Sequence, residues 1–318
     1  MTRGRDARAA SRSAGVAAVL AAVWVAGCST PSGPPDGAVA DAARAAPALR
    51  LRDVPFVAQP REQCGPAALA IAMAAAGRSV PVEALADTAF LPGRRGTLQA
   101  DMLAAVRRHG LLATELPRAP GALRAELAAG RPVVVLLNLG LSAFPIWHYA
   151  VVVGDDPARG EVLLHSDERP NLAMSAFTFE RTFERAGRWA IAITDPRTLP
   201  ASADETSALR AVAGLERADT AAARAGWDAL VERWPASRLA RFGRANRLLE
   251  DGDARGAADG YRAALAIDAG FADAWNNLAQ ALAAAGDRRA AREAAERAVA
   301  LGGPRVDAYR DTLATLAR

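Results

Sequence analysis

The sequence predicts an α+β domain with an antiparallel sheet, followed by an all-α repeat solenoid. Three observations carry that reading. Between residues 49 and 197, helical periodicities come first and apolar runs of strand length cluster later, as expected of helices packed on an antiparallel sheet. Strand signals stop after residue 205. From there, small and apolar residues recur at an offset of thirty-four. A chain of 318 residues also exceeds one average domain.

The first residues read as an address. Residues 1–13 are rich in Arg, and Ala14–Ala26 form an apolar run too short to span a bilayer but suited to a signal-peptide core. Val25-Ala26-Gly27-Cys28 followed by Ser29-Thr30-Pro31 resembles a bacterial lipobox. The resemblance implies removal of residues 1–27, acylation of Cys28, and anchoring in the bacterial cell envelope. Ser29 resembles the outer-membrane sorting signal, so the chain is expected to face the periplasm. Residues 28–48, opening on Pro, Ser and Gly, read as a tether. The formal charge is +4 and all 39 basic residues are Arg; loss of the leader lowers the charge to about +1, so no nucleic-acid partner is expected. With 51% hydrophobic and 23% charged residues, the chain is neither disordered nor a polytopic membrane protein.

Within residues 49–197 the helical patterns are Gly65–Ala76, Pro81–Thr88, Thr97–His109, Gly121–Ala129 and Ala176–Ala186. The strand patterns are Arg50–Val57, Pro132–Leu139, His148–Gly154, Glu161–Ser166 and Arg188–Thr194. Residues 198–205 read as a polar linker. In residues 206–318, Asp251-Gly252-Asp253 aligns with Ala285-Gly286-Asp287, Ala257 with Ala291, Ala264 with Ala298, and Leu248 with Leu282. One period earlier, Ala223 falls under Ala257 and Trp227 under Tyr261. This period resembles the tetratricopeptide repeat. It gives three repeats beginning near Asp204, Arg238 and Ala272, with Val306–Leu316 as a cap. The resemblance implies a groove that holds a protein partner.

The chemistry centres on Cys64. With Cys28 acylated, it is the one thiol left in the chain. It stands in Gln59-Pro60-Arg61-Glu62-Gln63-Cys64-Gly65-Pro66, where Pro66 marks a helix start, so unpaired N–H groups and the dipole favour a thiolate there. Gln59 is close enough to turn back and supply an amide to an oxyanion. Of three histidines, His109 ends a helix, His165 lies near a strand end, and His148 opens an apolar strand suited to face a helix N-terminus. A symmetric hairpin with Gly154 opposite Glu161 sets His148 opposite Asp167, the candidate orienting residue. A one-residue slip substitutes Ser166 or Glu168. Asp155 and Asp156 read as turn residues.

Gln59, Cys64-Gly65-Pro66-Ala67 and His148-Tyr149 together resemble the double-glycine-leader (bacteriocin-processing) cysteine peptidases, family 39, over about residues 50–197. The resemblance implies a papain-like fold and a peptide or protein substrate. It implies Cys64 as nucleophile, His148 as general base, Gln59 as oxyanion donor and an Asp as third member, with no cofactor and no metal. The family's Asp-Pro about sixteen residues past the His is replaced here by Leu164-His165-Ser166-Asp167, and no transporter follows. Amidase or transpeptidase work on cell-wall peptides, or a non-catalytic scaffold that holds peptides, are the competing readings.

Overall fold

The computed structural model describes residues 45–58, 62–94 and 96–317. The leader, Cys28, most of the tether and Gln59 lie outside the described residues. β1 (Leu49–Arg50) leads to a long central helix, α1 (Cys64–Ala75), then α2 (Val82–Ala89), the small β2 (Phe90–Leu91) and β3 (Gly96–Thr97), and α3 (Gln99–Arg108). β4 (Leu112–Glu115), α4 (Ala122–Ala128), β5 (Val133–Asn138), β6 (Trp147–Asp156), β7 (Glu161–Ser166), β8 (Arg169–Ser175), α5 (Ala176–Arg185) and β9 (Ala190–Thr194) complete the α+β domain. The main sheet runs β4-β9-β5-β6-β7-β8, antiparallel at every pairing, with β1 added beside the distal half of β6.

Alternation along the central strands fills two cores. Val134, Leu136, Tyr149, Val151, Ile191 and Ile193 pack against α1, whose residues Gly65–Met73 are all buried. Val133, Val135, Leu137, Ala150, Val152 and Ala192 meet Leu127 of α4 and Phe179 and Phe183 of α5. Because both faces are covered, β5 and β6 read in the sequence as continuous apolar runs rather than as alternating ones.

The expected strand over Arg50–Val57 shrinks to Leu49–Arg50. Pro55 has no N–H for a ladder, and the Val54 carbonyl is instead taken by the His165 ring at 3.4 Å. Two larger strands escaped the sequence patterns. β4 is four residues long and mixes Ala, Thr and Glu. β8 is a largely exposed edge strand that tolerates Pro170.

Six helices form three antiparallel pairs: α6 (Glu205–Glu216) with α7 (Thr220–Arg233), α8 (Arg238–Glu250) with α9 (Ala254–Ile267), and α10 (Ala272–Ala284) with α11 (Arg288–Leu301). α12 (Val306–Leu316) caps the last pair. The thirty-four-residue period follows from chain chemistry. Gly252 (φ 87°) and Gly286 (φ 91°) end their helices in the left-handed region, and Asp253 and Asp287 then cap the next helices by accepting from Gly256 and Ala290 N–H. Gly243 is required by close approach, since a Cβ there would lie 2.4 Å from the Trp227 ring.

The linker is a clamp rather than a free polar segment. The buried Glu126 of α4 accepts from both the N–H and the hydroxyl of Ser202 at 2.6 Å, while Arg233 of α7 donates to the carbonyls of Pro200, Ala201 and Ala203. Leu112 of β4 and Leu199 share one core with Val212, Leu215 and Leu230. The polar letters of residues 198–205 concealed this, because their side chains and carbonyls are satisfied by partners distant in sequence. Among the described residues, no helix is long and apolar enough to cross a membrane.

Candidate active site

α1 begins at Cys64, with Gln63 as its cap residue and the Ala67 N–H to Gln63 carbonyl bond (3.1 Å) as its first helical turn. Pro66 has no N–H to satisfy. The backbone N–H groups of Tyr149, Gly65 and Cys64 favour the anion of the Cys64 thiol, those of Cys64 and Gly65 being unused by the helix. The nucleophile candidate therefore sits against the backbone of the residue that follows His148. Cys64 is a free thiol. A Cβ on Gly65 would lie 2.8 Å from Thr97, whose own carbonyl accepts from the Tyr149 hydroxyl at 3.1 Å. The β2–β3 hairpin thus pins the start of α1.

Burial of α1 pushes the Cys64 thiol up, outweighing the three N–H groups that favour its anion, and the nearby Asp167 charge adds to the rise. This corrects the expectation that the helix start by itself favours a thiolate. Burial also pushes the His148 imidazole down, with Asp167 acting in the opposite sense. Burial thus favours the uncharged form of each group, a thiol at Cys64 and a neutral imidazole at His148.

His148 Nε2 lies 2.8 Å from Ser166 Oγ and 3.8 Å from Asp167 Oδ1. The Ser166 hydroxyl donates to Asp167 Oδ2 at 3.5 Å, so its lone pair accepts from Nε2–H. That tautomer leaves Nδ1 as the basic nitrogen. Of the three candidates for the third member, Ser166 makes the direct bond, Asp167 stands behind it and Glu168 is exposed.

Asp167 reaches the imidazole by a different route from the symmetric hairpin. Gly154 pairs with Leu163 rather than Glu161, β6 continues to Asp156 opposite Glu161, and the register shifts at Val153. The strand runs on because Asp155 is held by an ion pair with Arg124 and by pairing with Leu49. Asp155 and Asp156 are therefore strand residues, and the turn is Pro157–Gly160, although Asp156 still accepts from Arg159 N–H at 3.1 Å. Asp167 occupies the two-residue turn between β7 and β8 with φ 52°, a conformation Asp tolerates.

Asn138 is the site residue the sequence patterns missed, whereas Ser166 was named only as the outcome of a one-residue slip. Asn138 is 1% exposed; its Oδ1 accepts from Gly140 and Ile146 N–H at 3.0 Å, and its carbonyl accepts from Arg185 at 2.9 Å. It closes the loop running into Trp147-His148 and leaves Leu141, Phe144, Ile146 and Trp147 exposed beside the site. An Asn ending the buried run Val133–Leu137 was the available signal. His109 ends α3 as expected. His165 is structural: it packs edge-on against Phe56 and accepts from Asn171 N–H.

Ser166 and Asp167 divide the orienting work. Asp167→Ala is expected to lower kcat/KM roughly tenfold, less than loss of the base itself. It also removes the charge that holds the imidazole up, so the acid limb of the pH profile moves to lower pH. Ser166→Ala frees the ring and costs a similar factor, whereas Asp156→Ala, at the far end of β6, leaves turnover unchanged. A pH–rate series on the three variants checks this; an inactive Asp156→Ala would overturn the assignment.

No protein-family model matches the chain, and no curated protein does. Among solved structures, a C39-like peptidase from Bacillus anthracis is 19% identical with a TM-score of 0.40, over 47% of this chain and 98% of that one. The peptidase domain of Streptococcus ComA, a bifunctional ABC transporter of a quorum-sensing pathway, is 20% identical with a TM-score of 0.37, over 44% and 98%. The Sgt2 TPR domain from Aspergillus fumigatus is 24% identical with a TM-score of 0.33, over 36% and 77%. The chain is thus similar in part to C39-like peptidase domains and in part to tetratricopeptide-repeat proteins.

Proposed function

We propose that this chain is a lipid-anchored cysteine peptidase of the bacterial envelope whose repeats recruit a protein substrate or partner. One observation carries the reading: the Cys64 thiol stands at the start of a buried helix, the Tyr149 backbone next to His148 favours its anion, and His148 Nε2 lies 2.8 Å from Ser166 Oγ. In the reaction, Nδ1 takes the thiol proton as Sγ attacks the peptide carbonyl carbon. Backbone N–H groups at the helix start, with the Gln59 amide, hold the oxyanion. Collapse breaks the C–N bond, and the imidazolium gives its proton to the departing amine. His148 then deprotonates water, which cleaves the thioester to an acid and restores the thiol. The exposed Leu141, Phe144, Ile146 and Trp147 offer apolar contacts to a bound peptide. Incubation of the full mature chain with a peptide mixture, read by product mass, tests the reading: paired fragments mark hydrolysis, and ligated products mark transfer.

Burial of the thiol favours a second reading, a peptide-holding scaffold. Thiol alkylation without any turnover would select it.

Anchoring rests on the lipobox. Cys28→Ala is expected to leave the chain unprocessed or soluble, and an acyl-modified mature mass in this variant would refute the anchor.

A further inference from the structure

A cavity of about 260 Å³ opens where the α+β domain meets the first repeat helix, lined by residues that take no part in the chemistry of Cys64. Four guanidinium groups line it, from Arg107 of α3, Arg118 after β4, Arg188 before β9 and Arg210 of α6, against the carboxylates of Glu115 and Asp204. Several of these charges are already engaged. Arg188 pairs with Glu180 outside the cavity, Asp204 caps α6 by accepting from Ser207 N–H at 2.7 Å, and Glu115 accepts from the Trp189 indole at 2.7 Å.

Arg107 is different. Its Nε is buried with no hydrogen-bond partner among the described residues. Its guanidinium is held in place by packing, since a Cβ on Gly214 of α6 would lie 2.5 Å from its Cζ. Burial opposes its protonated form, the Arg217 charge adds to that, and the Glu115 carboxylate acts the other way. The side chain as a whole is half-buried, and a partly buried cation without a hydrogen-bonded partner carries a desolvation cost that bound acceptors would offset. Arg118, exposed at the mouth, has no ion-pair partner among the described residues either.

We propose that this cavity binds a small oxyanion, a phosphoryl or carboxylate group carried on a ligand small enough for the space. Guanidinium forks match the paired oxygens of both groups, and an anion here meets two cations that lack partners of their own.

The test uses the full mature chain, with inorganic phosphate and succinate as probes, each compared with chloride at matched ionic strength. Thermal melts and titration calorimetry supply the readouts. At least one probe is expected to raise Tm and bind saturably; a preference for phosphate marks a phosphoryl ligand, and a preference for succinate a carboxylate one. Arg107→Gln and Arg118→Gln are each expected to weaken that binding at least tenfold. Arg107→Gln should melt no lower than wild type without the probe, because it removes an unpaired cation. Three results would overturn the proposal: no effect of either probe beyond chloride, variants that bind as well as wild type, or an Arg107→Gln protein that is less stable yet keeps its full response.

Discussion

Cys64→Ala is expected to lose all peptide turnover and all iodoacetamide labelling, with a melt that stays cooperative. With Cys28 acylated, no other thiol is available to form a thioester. His148→Ala also falls to near background at neutral pH, because the thiol it leaves behind is pushed up by burial and is scarcely ionised there. Loss of a general base alone is worth about 10²–10⁴ in rate. The neutral resting pair adds a pH signature. The His148 imidazole is held below its ordinary 6.5, so its basic form persists as the pH falls, and the acid limb of kcat/KM lies under 6.5. Alkylation of Cys64 in His148→Ala should rise only at alkaline pH, above the ordinary thiol range. Full turnover by Cys64→Ala would end the peptidase reading. An alkaline limb set by an imidazolium that titrates well above 6.5 would instead mark a thiolate–imidazolium pair.

The periodicities that fixed the solenoid were strong because one chemical unit recurs, a left-handed Gly followed by an Asp cap, and each repeat can bury its small residues only against the next. Cys64 was legible for a similar reason, since Pro66 restricts where a helix can begin. His148 could be picked because so few histidines compete. The hairpin register was not legible. It depends on a bulge at Val153 and on Arg124 reaching Asp155 from thirty-one residues away, neither of which alters local hydropathy. Asp167 was named for an opposing strand position and reaches the imidazole from a turn, with Ser166 in between. The thiol's rise was hidden as well, because the chain letters at Cys64 display the helix dipole but not the two layers that bury α1.

Gln59→Ala is expected to lower kcat by about 10²–10³, the usual cost of one oxyanion donor, with KM little changed. Gln59 lies outside the described residues, and its neighbours on the helix side set what it would complete. The N–H groups of Cys64 and Gly65 already converge on the sulfur, which supplies donors on one side of the reacting carbonyl. A second donor has to come from the other side, where the segment ahead of the helix arrives. Glu62 adopts φ 71°, a left-handed turn immediately before Gln63, so the chain bends just ahead of the nucleophile. Gln59 stands five positions before Cys64, a span of at most ~18 Å even if extended. Alkylation separates this role from a structural one. Iodoacetamide reacts at an sp³ carbon and forms no oxyanion, so Gln59→Ala should label at the wild-type rate while hydrolysing far more slowly. Labelling that falls in step with turnover would mean that Gln59 only holds the loop in place, and a larger loss in Gln63→Ala would move the donor to that residue.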